Sequence, residues 1–306
     1  TPLTKIAKRV GLSRDSVSYR VKNLTRNGVI QGYIALVDIR KFGYTPYHIF
    51  LNLSHPTREI EDKIIKSLKG YPFIRAILKF SGKYDFELAV IAKNIEEFDS
   101  ILTNIISLCS EYLQSYEILI ISKNYAGKVF PNSFFSDNTG MALKMKKEIY
   151  NMDKKDIDIL KNVSNNANMP LHNIGNKINL SADAVNYRIR KMRESGIIEN
   201  FLPVINYSAL NYSVYAILMN INNLTEKKEA TLKQILNEDD NVLWAVKTVG
   251  KYNILFYLCV RNADDLHNTI IKLRTYFRDD VKEYETLIAQ EEFKYSYFPE
   301  GLDVGR

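Results

Sequence analysis

The stretch IAKRVGLSRDSVSYRVKNLTRNGVI, residues 6–30, decides how the chain is read. Residues 3–10 form a short amphipathic run that ends at Gly11-Leu12, a tight-turn signal. Ser13 then stands where a helix N-cap belongs, and Asp15 puts a negative charge in the first turn, where the macrodipole favours it. The following helix is expected to reach Arg26, with Gly28 as its left-handed stop. Val17, Val21 and Leu24 fall at i, i+4 and i+7 and make one stripe to bury. Asp15, Ser18, Tyr19, Lys22 and Arg26 lie on the opposite face and need no burial. Two helices around a tight turn, the second with a polar face, define a helix-turn-helix, and residues 29–38 are expected to follow as a two-stranded wing.

The same pattern returns 168 residues later as IGNKINLSADAVNYRIRKMRESGII, residues 174–198. Between 2–30 and 170–198 eleven of 29 positions are identical, where average composition predicts about two. The register holds without a gap: Gly82-Lys83-Tyr84 matches Gly250-Lys251-Tyr252, and Phe130-Pro131 matches Phe298-Pro299. The chain is a tandem duplication.

After each helix-turn-helix the periodicity changes. Tyr47, Ile49, Leu51 and Leu53 alternate as in a strand, and Ile60, Ile64 and Leu68 mark an amphipathic helix. Strands are expected at 73–80 and 84–92 about Gly82, then a helix through Phe98, Ile101, Ile105 and Leu108, then a strand through Tyr116, Ile118 and Ile120. The order βαββαβ is the ferredoxin-like arrangement. The expected class is therefore α+β, two winged helix-turn-helix domains alternating with two ferredoxin-like sensing domains. The boundaries are 1–42 and 43–132 for the first copy, 152–210 and 211–300 for the second, with a polar linker at 133–151. The second copy opens with an extra helix at 154–165, and its counterpart in the first is expected ahead of Thr1.

The 306 residues carry a net charge of +7 and 46% hydrophobic residues, and the two cysteines, Cys109 and Cys259, sit in apolar runs. Buried free thiols in a reducing, cytoplasmic setting are expected, and no apolar run is long enough for a membrane span. Residues 1–40 alone hold a net +6, the matched window 169–208 only +2. Basic side chains beside a helix-turn-helix suit phosphate neutralisation and double-stranded DNA as partner. The candidate DNA contacts are Arg14, Ser16, Ser18, Tyr19, Arg20, Lys22 and Arg26 in the first copy. In the second they are Asn186, Tyr187, Arg188, Arg190 and Lys191, and Ala182 and Ala184 replace Arg14 and Ser16, so the second reader is expected to be weaker or differently specific.

These two helix-turn-helix stretches, with GKYDFELAV at 82–90 and GKYNILFYL at 250–258, resemble the Lrp/AsnC (feast/famine) regulators of bacteria and archaea. The resemblance implies a DNA-binding transcriptional regulator and a small effector, often an amino acid, near the glycine turn. Gly82, Tyr84, Asp85, Gly250, Tyr252 and Asn253 are then the effector candidates. It further implies pairing of sensing modules through their sheets, here as a pseudo-dimer within one chain with homo-oligomers beyond it. Two departures stand out: the family usually has one copy per chain, and Asp85 becomes Asn253 in the second. No enzyme, cofactor or metal site is expected. The four histidines do not coincide between copies, and neither a phosphate loop nor a nucleophile elbow occurs. Two alternatives stand beside the regulator. Sirohaem decarboxylases share the two-module architecture, but their expected Arg pair and His/Arg-rich stretch read here as Gln31-Gly32 and Leu78-Lys79-Phe80-Ser81. The other is an effector-sensing or assembly protein that binds no DNA.

Overall fold

The computed structural model describes residues 3–134, 150–296, 298, 299, 301 and 302. The first copy runs α1 (Leu3–Val10), α2 (Arg14–Arg26), β1 (Ile30–Val37), β2 (Thr45–Leu53), α3 (Arg58–Lys69), β3 (Ile74–Ser81), β4 (Phe86–Ala92), α4 (Ile95–Cys109) and β5 (Leu113–Gly127). The second runs α5 (Lys154–Asn165), α6 (Leu171–Ile178), α7 (Ala182–Glu194), β6 (Ile198–Ile205), β7 (Ser213–Ile221), α8 (Glu226–Glu238), β8 (Val242–Gly250), β9 (Ile254–Val260), α9 (Ala263–Phe277) and β10 (Val281–Tyr295). The fold is α+β, with winged helix-turn-helix units and βαββαβ modules in alternation. Of the linker expected at 133–151, residues 135–149 lie outside the described residues.

The βαββαβ modules do not stand as two separate sheets. β5 and β10 are each fifteen residues long, nearly three times the commonest strand length of about five or six. The first part of β5 pairs with β2 of its own module, and the remainder crosses to β8 of the other. β10 does the same with β7 and then β3. The result is a closed eight-strand barrel in the order β10-β3-β4-β2-β5-β8-β9-β7. Closure leaves none of these strands as an exposed edge.

Side-chain alternation sorts the barrel into three cores. Odd-numbered residues of β2 (Tyr47, Ile49, Leu51, Leu53) pack under α3 and α4, and the equivalent core of the second copy lies under α8 and α9. The opposite faces meet inside the barrel, where Phe50, Tyr84, Leu119, Leu218, Tyr252 and Leu287 form a shared core. Cys109 and Cys259 are buried and free, and burial pushes the Cys109 thiol up to about 11.

Two glycines permit the crossing. Gly82 and Gly250 have φ of +142° and +149°, a region closed to most side chains. A Cβ on Gly250 would lie 2.4 Å from the Ile118 carbonyl oxygen, and one on Gly82 would lie 2.9 Å from Leu287 Cδ2. The partner strand of the other copy occupies the space a side chain would need.

One expected feature is corrected. Residues 29–38 do not fold into a two-stranded wing within a copy; each copy supplies a single strand. β1 and β6 pair antiparallel with each other, and Ile34 faces Leu202, its own repeat-mate, at the pseudo-twofold axis. A single strand cannot satisfy its own backbone groups, and the partner copy offers a matching one. The buried stripe expected on α2 is also only partly realised. Val17 is buried, but Leu24 is 41% exposed. Its repeat-mate Met192 is fully buried because α5 packs against α7; among the described residues no helix does this for α2.

Ion pairs tie α8 across the joint. Glu229 on α8 accepts from Lys123 of β5 and Lys247 of β8. The Lys123 and Lys247 contacts hold its carboxyl down to about 2. A carboxyl depressed in the folded state adds stability that is present above its unfolded value near 4.3 and is lost as pH falls through the folded one. Acid melts between about pH 5 and 2 should therefore be shallower for Glu229→Gln than for the parent; parallel profiles would refute the pairing. Gly250→Ala should cost about 2 kcal/mol or more, while Gly70→Ala, with only ordinary contacts, should shift the melting temperature little. Equal melting shifts would contradict the glycine argument.

Candidate nucleic-acid interface

The two reader helices are built alike from the turn upward. Gly11 (φ +66°) and its repeat-mate Asn179 (φ +55°) both take the left-handed conformation, which glycine and asparagine tolerate best. The chain then reverses through Leu12 N–H to Ala7 O at 3.0 Å and Leu180 N–H to Gly175 O at 2.9 Å. Ser13 accepts from Ser16 N–H and Ser181 from Ala184 N–H, each at 3.1 Å. At the far ends Gly28 and Gly196 are left-handed, and Val29 and Ile197 N–H reach back to Leu24 and Met192 carbonyls at 2.9 Å. Sequence differences in the helices leave their geometry unchanged.

The exposed faces differ. On α2, Arg14, Ser16, Tyr19, Arg20, Lys22 and Arg26 are exposed and Ser18 is half-buried. On α7, Asn186, Tyr187 and Arg190 are exposed and Lys191 is half-buried. Tyr19 and Tyr187 are repeat-mates and stand 66% and 52% exposed. Arg190 lies over the Tyr187 ring at 5.4 Å.

Arg188 is placed differently from its repeat-mate Arg20. Its guanidinium donates to Asp153 and to the buried Asp156, both at 2.9 Å, and these contacts raise its pKa. Asp153 caps α5 in a reciprocal box with Asp156, and Tyr150 donates to Asp156 at 3.0 Å. Desolvation raises the Asp153 carboxyl, but the Asp156 N–H and Arg188 outweigh it and set it below the usual range. Arg188 thus joins α7 to α5. This network was not singled out from the sequence; the D-x-x-D box ahead of an apolar run was its visible half.

The turn residues chosen as effector candidates sit in the joint. Asp85 Oδ2 accepts the Leu53 N–H at 2.6 Å. Desolvation raises its carboxyl, with the Leu53 N–H acting against that rise. Asn253 Oδ1 accepts the Ile221 N–H at 2.9 Å, and its Nδ2 donates to the Ile221 carbonyl at 2.7 Å. Tyr84 and Tyr252 are buried in the shared barrel core, and Lys83 donates to the Tyr252 hydroxyl at 3.3 Å and to Glu285 at 2.8 Å.

Paired winged helix-turn-helix units on one shared α+β barrel define the architecture, and comparison with known proteins supplies its family. The winged helix-turn-helix DNA-binding family profile matches residues 1–31 and 152–199. Regulatory protein AsnC of Haemophilus influenzae is 31% identical over 124 residues, 40% of this chain and 81% of its own length. The transcriptional regulator LrpA of Pyrococcus horikoshii is 32% identical over 34% of this chain and 72% of its own length. The chain belongs to the Lrp/AsnC family. Each of these alignments takes up less than half of this chain and most of the relative, as a duplication requires.

Over the whole chain the fold is like that of siroheme decarboxylase NirDL. The TM-score is 0.61 at 11% identity over 96% of this chain and 87% of that one. A second structure, a co-complex with an iron-uroporphyrin III analogue, gives 0.63 at 12% over 98% and 89%. At that identity the likeness is one of fold, yet it corrects the expectation of no enzyme: this duplicated architecture, end to end, is one that carries an enzyme. Among the described residues no helix is long and apolar enough to cross a membrane.

The Arg188 network makes a direct prediction. Arg188→Ala leaves the buried Asp156 without its cation and should lower stability by about 2 kcal/mol, whereas the exposed Arg20→Ala should change it by under about 0.5 kcal/mol. Chemical denaturation of both variants tests this; equal losses would contradict the assignment.

Proposed function

We propose that this chain is a sequence-specific DNA-binding transcriptional regulator that carries both readers of a family dimer in one polypeptide. The observation that carries the reading is the pair of like-built, outward-facing helices α2 and α7 joined through the β1–β6 ribbon. A twofold-related pair of readers suits half-sites about 34–36 Å apart, one turn of B-DNA. Fusion turns the association of two readers into an intramolecular step, with an effective concentration in the millimolar range.

The readers contribute unequally. Arg14, Arg20, Lys22 and Arg26 give the first a row of exposed cations for phosphates and base edges. In the second, Arg188 is committed to Asp153 and Asp156, and Arg190 and Lys191 both pair with Glu194. We infer that the first reader supplies most of the affinity and that the second adjusts register. The operator is then an imperfect palindrome with one stronger half.

Gly82, Tyr84, Asp85, Gly250, Tyr252 and Asn253 are read here as barrel-joint residues. The amide groups of the Asn253 side chain and the bonded oxygen of Asp85 are engaged with backbone, so an amino-acid effector there would compete with bonds already made.

Binding should be electrostatically driven. If the readers neutralise ~6–10 phosphates, raising salt from 50 to 200 mM weakens binding ~10³–10⁵-fold, and fluorescence anisotropy with operator DNA measures it. An affinity unchanged over that range would sink the reading. Lys22→Ala should weaken binding to all sequences and lower the salt slope by about 1, and Arg14→Ala should weaken binding more than Ala182→Ser does. The reverse order would mean the second reader dominates.

A further inference from the structure

The barrel is filled at the end near the glycine turns and open at the other. There it continues into a cavity of about 2210 Å³ that extends beneath the β1–β6 ribbon. The two copies treat this open end very differently. His48 and Glu87 from the first copy meet Trp244 and Tyr257 from the second across the lumen. Glu87 is fully buried and binds the His48 ring through one oxygen and the Tyr257 hydroxyl through the other. His48 stacks on Trp244 at 5.6 Å and 21°, and Trp244 lies 5.5 Å from Tyr257. The repeat-mates of these four residues are Ala216, Leu255, Ala76 and Ala89.

Packing alone does not call for this asymmetry, because the apolar counterparts close the same strands in the other half. A buried carboxylate with a histidine and a tyrosine is expensive to desolvate. Glu292 adds to it. Leu78 of β3 pairs with Glu87 on one side and with Glu292 on the other, so the two carboxylates flank one residue on the barrel's inner face, with Cα atoms about 10 Å apart. Glu292 lines the cavity. Cations line the cavity as well, among them Arg40, Arg75 and Lys128. Of these, Arg40 and Arg75 lie near Glu199 and Lys128 donates to the Asp239 carbonyl at 3.0 Å. The open end thus offers an aromatic slab beside an accessible carboxylate, a combination that attracts a ring bearing a positive charge.

We propose that the open end of the barrel binds a flat aromatic amine, its ring on the Trp244–His48 slab and its ammonium on the exposed Glu292 carboxylate. The proposal does not depend on DNA binding. Trp244 is the single tryptophan of the chain and reports occupancy directly.

The test titrates the full-length chain with 2-phenylethylamine, 3-phenylpropionate and 2-phenylethanol while following Trp244 emission. The amine should change the emission saturably, and the acid should bind about tenfold more weakly or worse. Glu292→Gln keeps the side-chain shape; it should weaken the amine about tenfold and leave the alcohol unchanged. The ligand series on the unaltered chain makes the same distinction without any mutation. No saturable response to the amine, equal binding of amine and acid, or an indifferent Glu292→Gln variant would overturn the proposal. So would iron-uroporphyrin III, a flat polycarboxylate, binding more tightly than the amine.

Discussion

Exchange of strand ends between the two copies holds this molecule together. β5 and β10 each begin in their own module and finish in the other, so neither sheet is complete alone. The barrel interior, with Tyr84 and Tyr252 in its shared core, exists only because the copies share it. The positive-φ glycines at 82 and 250 allow the backbones to approach closely enough for the exchange. The β1–β6 ribbon repeats the device above the barrel. As a result, the relative placement of the readers is set by main-chain hydrogen bonds rather than by a flexible tether.

A duplicated chain can let its halves diverge, and the divergence here has physical form. The turn, N-cap and C-terminal stop of α2 and α7 are kept, through Gly11 in one copy and Asn179 in the other. What changes is what the side chains do. Arg20 faces solvent while Arg188 is drawn inward by the acidic box at the start of α5. Asp85 and Asn253 differ in charge, yet each holds the backbone N–H of the strand beside it. The change at the turn is thus structurally neutral, and the change at the readers is not.

Much of this was legible in the sequence. The 168-residue offset, the Ser13 and Ser181 caps, the Gly28 and Gly196 stops and the βαββαβ order follow from local rules that act within a few residues. Three features were not. The pairing of β1 with β6 joins residues far apart in the chain, and no local signal separates one strand of a ribbon from a wing. Arg188 looks like a DNA contact until Asp156 is placed beneath it. His48, Glu87, Trp244 and Tyr257 lie in four different strands, and no spacing in the chain brings them together. Each copy also reads as an ordinary regulator module by itself, whereas the whole-chain likeness to a decarboxylase depends on the fused architecture.

The central claim is that two unequal readers on one fused frame recognise one composite site. Selection of bound sequences from a random duplex pool with the full-length chain tests it most directly. The account predicts an imperfect palindrome whose half-sites lie 10–10.5 base pairs apart, centre to centre, with the stronger half lost on Arg14→Ala. Enrichment of a lone half-site without a partner at that spacing, or no enrichment at all, would contradict it.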